Sequence, residues 1–331
     1  MKSFDERRGT IGPPRLKRWA TAPLRLSFAG GGTDLPSHYA RFGGRIVGIA
    51  IDKYVRVEVG NELAQCSNDV ARAVFMRAGR RMTHWVCTKP VPPGSGLGSS
   101  SAFASALVAA LGERSDPAAI AEAAFEAEHL ALGRPTGKQD SYLSCVGGMT
   151  SLNIAPNGSV TVTRECVTMA LRDFVGDCCL LFRVGHARDA GLMLASQARD
   201  SERLSGALSQ IGSLVDPMRD ALQRERFGQV GAILHEHWLL KRSLAAGITS
   251  AGIDHLYAVA RRNGAAGGKI SGAGGSGYLM LVAGDVESAA AVRRAMHGEG
   301  LRELSFGISE DGVRCGSTAS DCGRTLGEVP G

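Results

Sequence analysis

A chain of 331 residues, 44% hydrophobic and 21% charged, is long enough for two domains and a sizeable core, which excludes a wholly disordered protein. Its net charge of +6 is mostly local, because Lys2, Arg7, Arg8, Arg15, Lys17 and Arg18 face only Asp5 and Glu6; a basic tail rather than a nucleic-acid-binding face is expected. No apolar run reaches the roughly 18 residues of a membrane helix, the basic start leads into no apolar signal segment, and the eight cysteines form no C-x-x-C pair. A cytoplasmic protein with reduced thiols and no membrane partner is expected.

Residues 1–20, with Pro13-Pro14, read as a mobile basic tail. Leu24 to Ala29 is a short apolar strand broken by Gly30-Gly31-Gly32, and Ile46–Ile51 and Tyr54–Val59 read as further strands. Residues 60–82 show no clear period, and Trp85–Thr88 reads as another strand. Ser101–Leu111 is Ala- and Leu-rich and predicts a helix ended by Gly112; Asp116-Pro117 opens a second that stops at Gly133. Met149–Ile154 and Val160–Thr163 predict a hairpin around Asn157-Gly158. After a boundary near 165–176 comes the apolar strand Cys178–Val184. Leu204, Leu208, Ile211 and Val215 recur at three- and four-residue steps, the mark of an amphipathic helix. Helical patterns continue through Ile233–Leu240, Ile253–Arg262 and residues 285–297; Tyr278–Val282 and 301–306 read as strands, and the stretch from Gly316 onward has turn composition. Strands followed by helices in each half predict two α+β domains.

Glycine is the compositional outlier, with 44 copies against roughly 7% of residues in average proteins. The copies cluster in short loops. The strongest is Pro92-Pro93-Gly94-Ser95-Gly96-Leu97-Gly98-Ser99-Ser100-Ser101. Alternate glycines let backbone N–H groups converge, and the helix that follows offers its own unpaired donors and positive dipole end, a phosphate cradle. A plain glycine turn with a serine cap would read the same way. Gly272-Ala273-Gly274-Gly275-Ser276-Gly277 matches G-x-G-x-x-G, but it runs into a strand rather than opening a helix, which rejects a dinucleotide loop. No H-E-x-x-H is present, and His235-Glu236-His237 has the wrong spacing for one helix face.

Three segments, in this order, resemble the three motifs of the GHMP kinases (galactokinase, homoserine, mevalonate and phosphomevalonate kinases). They are Ala22-Pro23-Leu24-Arg25 with Gly30-Gly31-Gly32-Thr33-Asp34, the Pro92–Ser101 loop, and Lys269 to Gly277. The resemblance covers about residues 20–310. It is closer to the D-glycero-α-D-manno-heptose 7-phosphate 1-kinases, through Ala50–Tyr54, Gly137-Lys138-Gln139-Asp140, Gly147-Gly148, Gly185–Ala190, Trp238–Arg242 and Gly264–Gly277. Residues 60–88, which help to hold adenine in that family, are much shorter here, and Lys89 stands where an acidic or polar residue is usual.

The resemblance implies a two-domain α+β fold with the active site in the cleft between an N-terminal domain over 21–170 and a C-terminal domain over 171–310, followed by a mobile tail over 311–331. It implies ATP as donor, Mg2+ as cofactor and a small sugar phosphate as acceptor, with no nucleic-acid partner. Asp140 would take the proton of the sugar hydroxyl, with Arg25 as its cationic partner; by itself, an Asp before Ser-Tyr reads equally as a helix cap. Pro93, Gly94, Ser95, Gly96, Leu97, Gly98, Ser99 and Ser100 would hold the nucleotide. Ser100 and Glu128 would ligate magnesium, with Glu126 the alternative carboxylate. Gly31, Gly32, Thr33, Asp34, Gly148, Gly272, Ala273 and Gly274 would line the sugar site. Arg188, Lys241 and Arg242, and less directly Lys53 and His186, are candidates for gripping the distal phosphate. The expected activity is an ATP-dependent sugar 1-kinase acting on a heptose 7-phosphate. A fuco- or galactokinase-like enzyme, and a non-catalytic sugar and nucleotide sensor on the same fold, are the alternatives.

Overall fold

The computed structural model describes residues 16–60, 68–112, 115–133, 135–185 and 201–319. The first half runs β1 (Leu16–Ala29), α1 (Pro36–Phe42), β2 (Gly44–Val59), α2 (Asp69–Arg77), β3 (Trp85–Thr88), α3 (Ser99–Leu111), α4 (Pro117–Glu126), α5 (Gln139–Val146), β4 (Met149–Ile154) and β5 (Val160–Glu165). The second half runs α6 (Met169–Cys178), β6 (Cys179–Val184), α7 (Ser201–Ser213), α8 (Val215–Gln223), α9 (Phe227–Arg242), α10 (Ala251–Arg262), β7 (Ala265–Ile270), β8 (Gly277–Ala283), α11 (Val286–Gly298) and β9 (Arg314–Ala319). Among the described residues the strands form two antiparallel sheets, one in the order β5-β4-β2-β1-β9 with β3 also paired to β2, the other β6-β8-β7. No described helix is long and apolar enough to cross a membrane.

The period-2 geometry of β1 sets up everything downstream. Leu24, Leu26 and Phe28 point into the core, so Arg25 and Ser27 must point to the other face. The β1–β2 register shifts between Pro23 and Leu24, where proline has no N–H to give the ladder. Helix α3 is apolar nearly all round and buried from Ser101 to Leu111, as a helix through the middle of a domain must be. In the second sheet β8 reads GYLMLVA and is buried throughout. Tyr278, Met280 and Val282 join the core of the first half, while Leu279 and Leu281 join a second core with Trp238, Tyr257 and Val292. One apolar core therefore runs across both sheets.

Several expectations differ from what the chain does. Lys17–Thr21 pair with Arg314–Thr318 in antiparallel register, so residues 16–20, read as tail, extend β1, and residues 314–319, also read as tail, supply the edge strand β9. Gly307 O accepts from Asp52 N and Ala50 O accepts from Ser309 N, so the chain returns to the first sheet before residue 310. Residues 301–306 form no strand, only a bridge from Glu303 to Phe182 and one hydrogen bond from Leu304 N to Leu181 O. Conversely β7, AAGGKI, lacks the usual strand residues; a Cβ at Gly267 would lie 1.8 Å from Gly231 O of α9, so glycine there allows helix and strand backbones to touch.

Candidate active site

The cleft between the halves is lined by Arg25, Ser27, Gly31, Gly32, Asp34, Gly94–Gly96, Gly98–Ser100, Thr136, Gly137, Gln139 and Asp140 on one wall. His237, Lys241, Leu244, Lys269, Ser271, Gly272 and Ala273 line the other. Arg25, only 4% exposed, reaches across to α5. Its Nε and Nη2 donate to Asp140 Oδ1 at 2.7 and 2.6 Å, and its Nη1 donates to Gly96 O at 2.7 Å. Both bonds land on one carboxylate oxygen, Oδ1. A single guanidinium thus ties the acid of the first sheet's helix to the glycine loop.

That loop has Gly94, Gly96 and Gly98 in the left-handed region, at φ 72°, 72° and 75°, a path that L-residues resist. A Cβ at Gly96 would lie 2.2 Å from Ser271 O, so the loop of the first half is pressed against that of the second. Gly98 is the N-cap of α3 and no side chain caps the helix, which leaves its first-turn donors for an anion. Leu97 is buried in the core, and neither it nor Pro93 lines the cleft.

Glu128 is 2% exposed and sits in a π-helical turn, Ala127–Ala131, that continues α4. Ser100 and Ser101 hydroxyls each donate to one of its oxygens at 2.5 Å. Residues two apart on a helix face different ways, and Glu126 pairs with Arg77 at the surface. Of the two candidate carboxylates only Glu128 adjoins the loop. One carboxylate with one or two hydroxyls is a hard oxygen set that suits magnesium shared with nucleotide phosphates rather than a protein cage.

Asp34, 1% exposed, accepts from Gly32 N and Gln139 N at 3.0 Å and from Gln139 Nε2 at 3.2 Å. Burial, with a smaller push from the charge of Asp140, raises its pKa to about 6, against the pull of those N–H groups. A Cβ at Gly137 would lie 1.9 Å from Asp34 Oδ2, so this glycine makes room for the carboxylate.

Some expected residues lie elsewhere. Thr33 is buried and its hydroxyl braces the turn, donating to Gly30 O and Arg45 O. Gly148 N donates to Ser309 O and its carbonyl accepts from Ala50 N, away from the cleft. Gly274 packs on Ile248. Arg242 pairs with Asp254 and Lys53 with Asp52. Arg188 and His186 lie outside the described residues. Lys241, expected at a distal phosphate, is within electrostatic reach of Arg25 and Asp140. Its ammonium donates to Ile270 O and Gly272 O.

Sequence reasoning missed Ser27, Thr136, Gln139, His237 and Lys269 in this cleft. Ser27 Oγ, Thr136 Oγ1, Gln139 Oε1 and both ring nitrogens of His237 are buried with no hydrogen-bond partner among the described residues. Buried polar atoms are rarely left so, and the polar groups of a bound ligand would satisfy them. Two signals were available: Ser27 shares the strand face of Arg25, and His237 lies one turn before Lys241 on α9.

The comparisons agree with this architecture. The model of the GHMP kinases N-terminal domain matches residues 62–148, and that of the GHMP kinases C-terminal domain matches 218–301. D-glycero-alpha-D-manno-heptose 7-phosphate kinase of Campylobacter jejuni is 26% identical over 333 aligned residues, covering 88% of this chain and 96% of that one. L-fucokinase/L-fucose-1-P guanylyltransferase of Bacteroides fragilis is 24% identical; the match covers 84% of this chain but 36% of that longer protein. The crystal structure of a D-glycero-D-manno-heptose 1-phosphate kinase from Bacteroides thetaiotaomicron superposes with a TM-score of 0.73 at 24% identity, covering 92% of this chain and 100% of that one. With a two-domain match, a shared fold and a cleft in which Arg25, Asp140 and the glycine loop converge, the chain belongs to the GHMP kinase family and is a phosphotransferase acting on an alcohol group.

Proposed function

We propose that this enzyme transfers the γ-phosphoryl group of ATP to the anomeric hydroxyl of D-glycero-α-D-manno-heptose 7-phosphate, giving the 1,7-bisphosphate. The observation that carries the reading is the Arg25–Asp140 pair joined to Gly96, which brings a carboxylate beside the glycine loop. Similarity to the Campylobacter jejuni kinase over almost its whole length supports the heptose.

The sugar would sit against Asp34, Gly31 and Gly32, with Ser27, Thr136 and Gln139 completing its hydrogen bonds. Asp140 would orient the anomeric hydroxyl and receive its proton as the new O–P bond forms. Arg25 would hold Asp140 in place. The N–H groups of Gly94–Ser100 and the N-terminus of α3 would cradle the phosphates. Magnesium, when bound with the nucleotide, would neutralise phosphate charge, and Glu128 and Ser100 are the residues that would hold it.

A screen of ADP release with sugars bearing or lacking a terminal phosphate tests this. The heptose 7-phosphate should exceed its unphosphorylated analogue in kcat/KM by about ten- to a hundredfold, the worth of a charged hydrogen bond to phosphate. Preference for plain fucose or galactose would replace the acceptor, and binding without ADP release from any sugar would make the chain a sensor.

A further inference from the structure

The C-terminal wall of the cleft carries three nitrogen groups that the account so far does not use. His237 and Lys241 are one turn apart on α9, and Lys269 ends β7 beside them. All three are buried, at 1%, 8% and 3% exposure. Their hydrogen-bonding capacity is largely unspent among the described residues. Lys269 Nζ donates to Phe28 O at 3.0 Å, one of three possible bonds. Lys241 Nζ spends two, on Ile270 O and Gly272 O. His237 spends neither ring nitrogen. Each of the three thus keeps hydrogen-bonding capacity that no described residue takes up.

The position of these groups identifies the missing acceptor. Gly272, whose carbonyl holds Lys241, is packed on Gly96, with a Cβ at Gly272 coming within 2.6 Å of Gly96 Cα. Lys241 also feels the charges of Arg25 and Asp140. If Asp140 receives the proton of the anomeric hydroxyl, the distal phosphate of the same sugar lies a ring's width or more from it. The group that does pass between the loop and Asp140 is the phosphoryl group being transferred, which spreads its negative charge over three oxygens.

We propose that Lys241 is a further catalytic residue of the transfer: its ammonium contacts the oxygens of the phosphoryl group in flight, and His237 and Lys269 are positioning residues that back it. This rests on the assignment of Asp140 as the proton acceptor. In the step, the acceptor oxygen forms a bond to the γ-phosphorus, the bond from that phosphorus to the β–γ bridging oxygen breaks, ADP leaves, and the hydroxyl proton passes to Asp140. Lys241 exchanges no proton; it supplies charge. Burial and Arg25 lower its pKa to about 7 against the pull of Asp140. His237 and Lys269, facing it from α9 and β7, are both pushed well below their ordinary values, foremost by burial. Lys241, with its pKa near neutrality, holds its proton more firmly once an anion arrives.

The test uses the full chain and the variants Lys241→Met and Lys241→Arg. For Lys241→Met, kcat should fall by about 10²–10³, the loss seen when one preorganised donor to developing charge is removed. Calorimetric affinity for ADP should stay near the parent value, while affinity for ADP with aluminium fluoride, a stand-in for the transferring phosphoryl, should fall with kcat. The alkaline limb of kcat/KM, falling as pH rises through about 7, should vanish in Lys241→Arg, whose guanidinium stays charged. Equal weakening of ADP and of ADP with aluminium fluoride would make Lys241 a brace for the 270–272 turn and overturn the proposal. A raised KM confined to phosphorylated sugars, with kcat kept, would make it a distal-phosphate ligand and overturn it as well. If no sugar tested is phosphorylated, the acceptor reading fails, and the aluminium fluoride comparison still decides this one.

Discussion

Replacing Asp140 by Asn keeps the shape of the side chain and removes the charge on which Arg25 closes. Two bonds at 2.7 and 2.6 Å lose their ionic character, and a guanidinium only 4% exposed loses its counter-ion. Asp140 itself is 27% exposed and Arg25 keeps its bond to Gly96 O, so the stability cost should stay near that of one charged hydrogen bond, roughly 1.5–3 kcal/mol, below the cost of breaking a fully buried pair. The kinetic cost should be larger: a positioned general base contributes about 10²–10⁴ in rate, and the amide cannot accept the proton. The loss should fall on kcat, because on this proposal the Gly94–Ser100 loop, not Asp140, holds the nucleotide. Turnover is read by ADP release, ATP affinity by calorimetry and stability by urea unfolding. If the folded Asn variant turns over within about fivefold of the parent, far short of the general-base range, then Asp140 is not the proton acceptor. If ATP affinity falls as far as kcat, its role is to hold the loop.

Glu128→Gln should weaken the productive magnesium–ATP complex about ten- to a hundredfold through loss of a charged ligand, measured as KM for magnesium–ATP. Glu126→Gln should change little, since its surface pair with Arg77 is worth about 0–1 kcal/mol; the reverse ranking would assign the metal to Glu126. Asp34 has a folded pKa of about 6 against 3.8, so it favours the folded state below about pH 4 and that contribution is lost as pH rises to 6, a swing of about 3 kcal/mol. Urea unfolding at several pH values should therefore show the parent losing ground to Asp34→Asn over that window, and a gap that does not change with pH would contradict the raised pKa. Gly137→Ala places a methyl 1.9 Å from Asp34 Oδ2; KM for the sugar should rise far more than KM for ATP, and equal effects would show that Asp34 does not face the acceptor.

Local chemistry made part of this site readable in the sequence. Glycines at alternate positions before an Ala-rich helix mark a phosphate loop, and Arg25, Asp34 and Asp140 sit in short motifs that carry their meaning with them. The second wall was readable only in part: Lys241, Gly272 and Ala273 were expected in the site, whereas His237 and Lys269 gain their place from docking. His237 and Lys269 look like an ordinary helix histidine and strand lysine until α9 packs on β7 and sets both beside Lys241. The ends of the chain misled for another reason: LKRWA and RCGSTA lack the apolar alternation of a half-buried strand, and pairing makes them strands, LKRWA between β2 and β9 and RCGSTA at the sheet edge. In β7, glycine that reads as loop is what close packing against Gly231 requires.

The measurement that bears most directly on the central claim is phosphorus NMR of the product formed from ATP and D-glycero-α-D-manno-heptose 7-phosphate. The account predicts a new phosphate on the anomeric carbon, coupled to its proton, in an amount equal to the ADP released, and no such signal with Asp140→Asn over the same time. Phosphate appearing on another carbon, or ADP formed with inorganic phosphate and no sugar product, would contradict it.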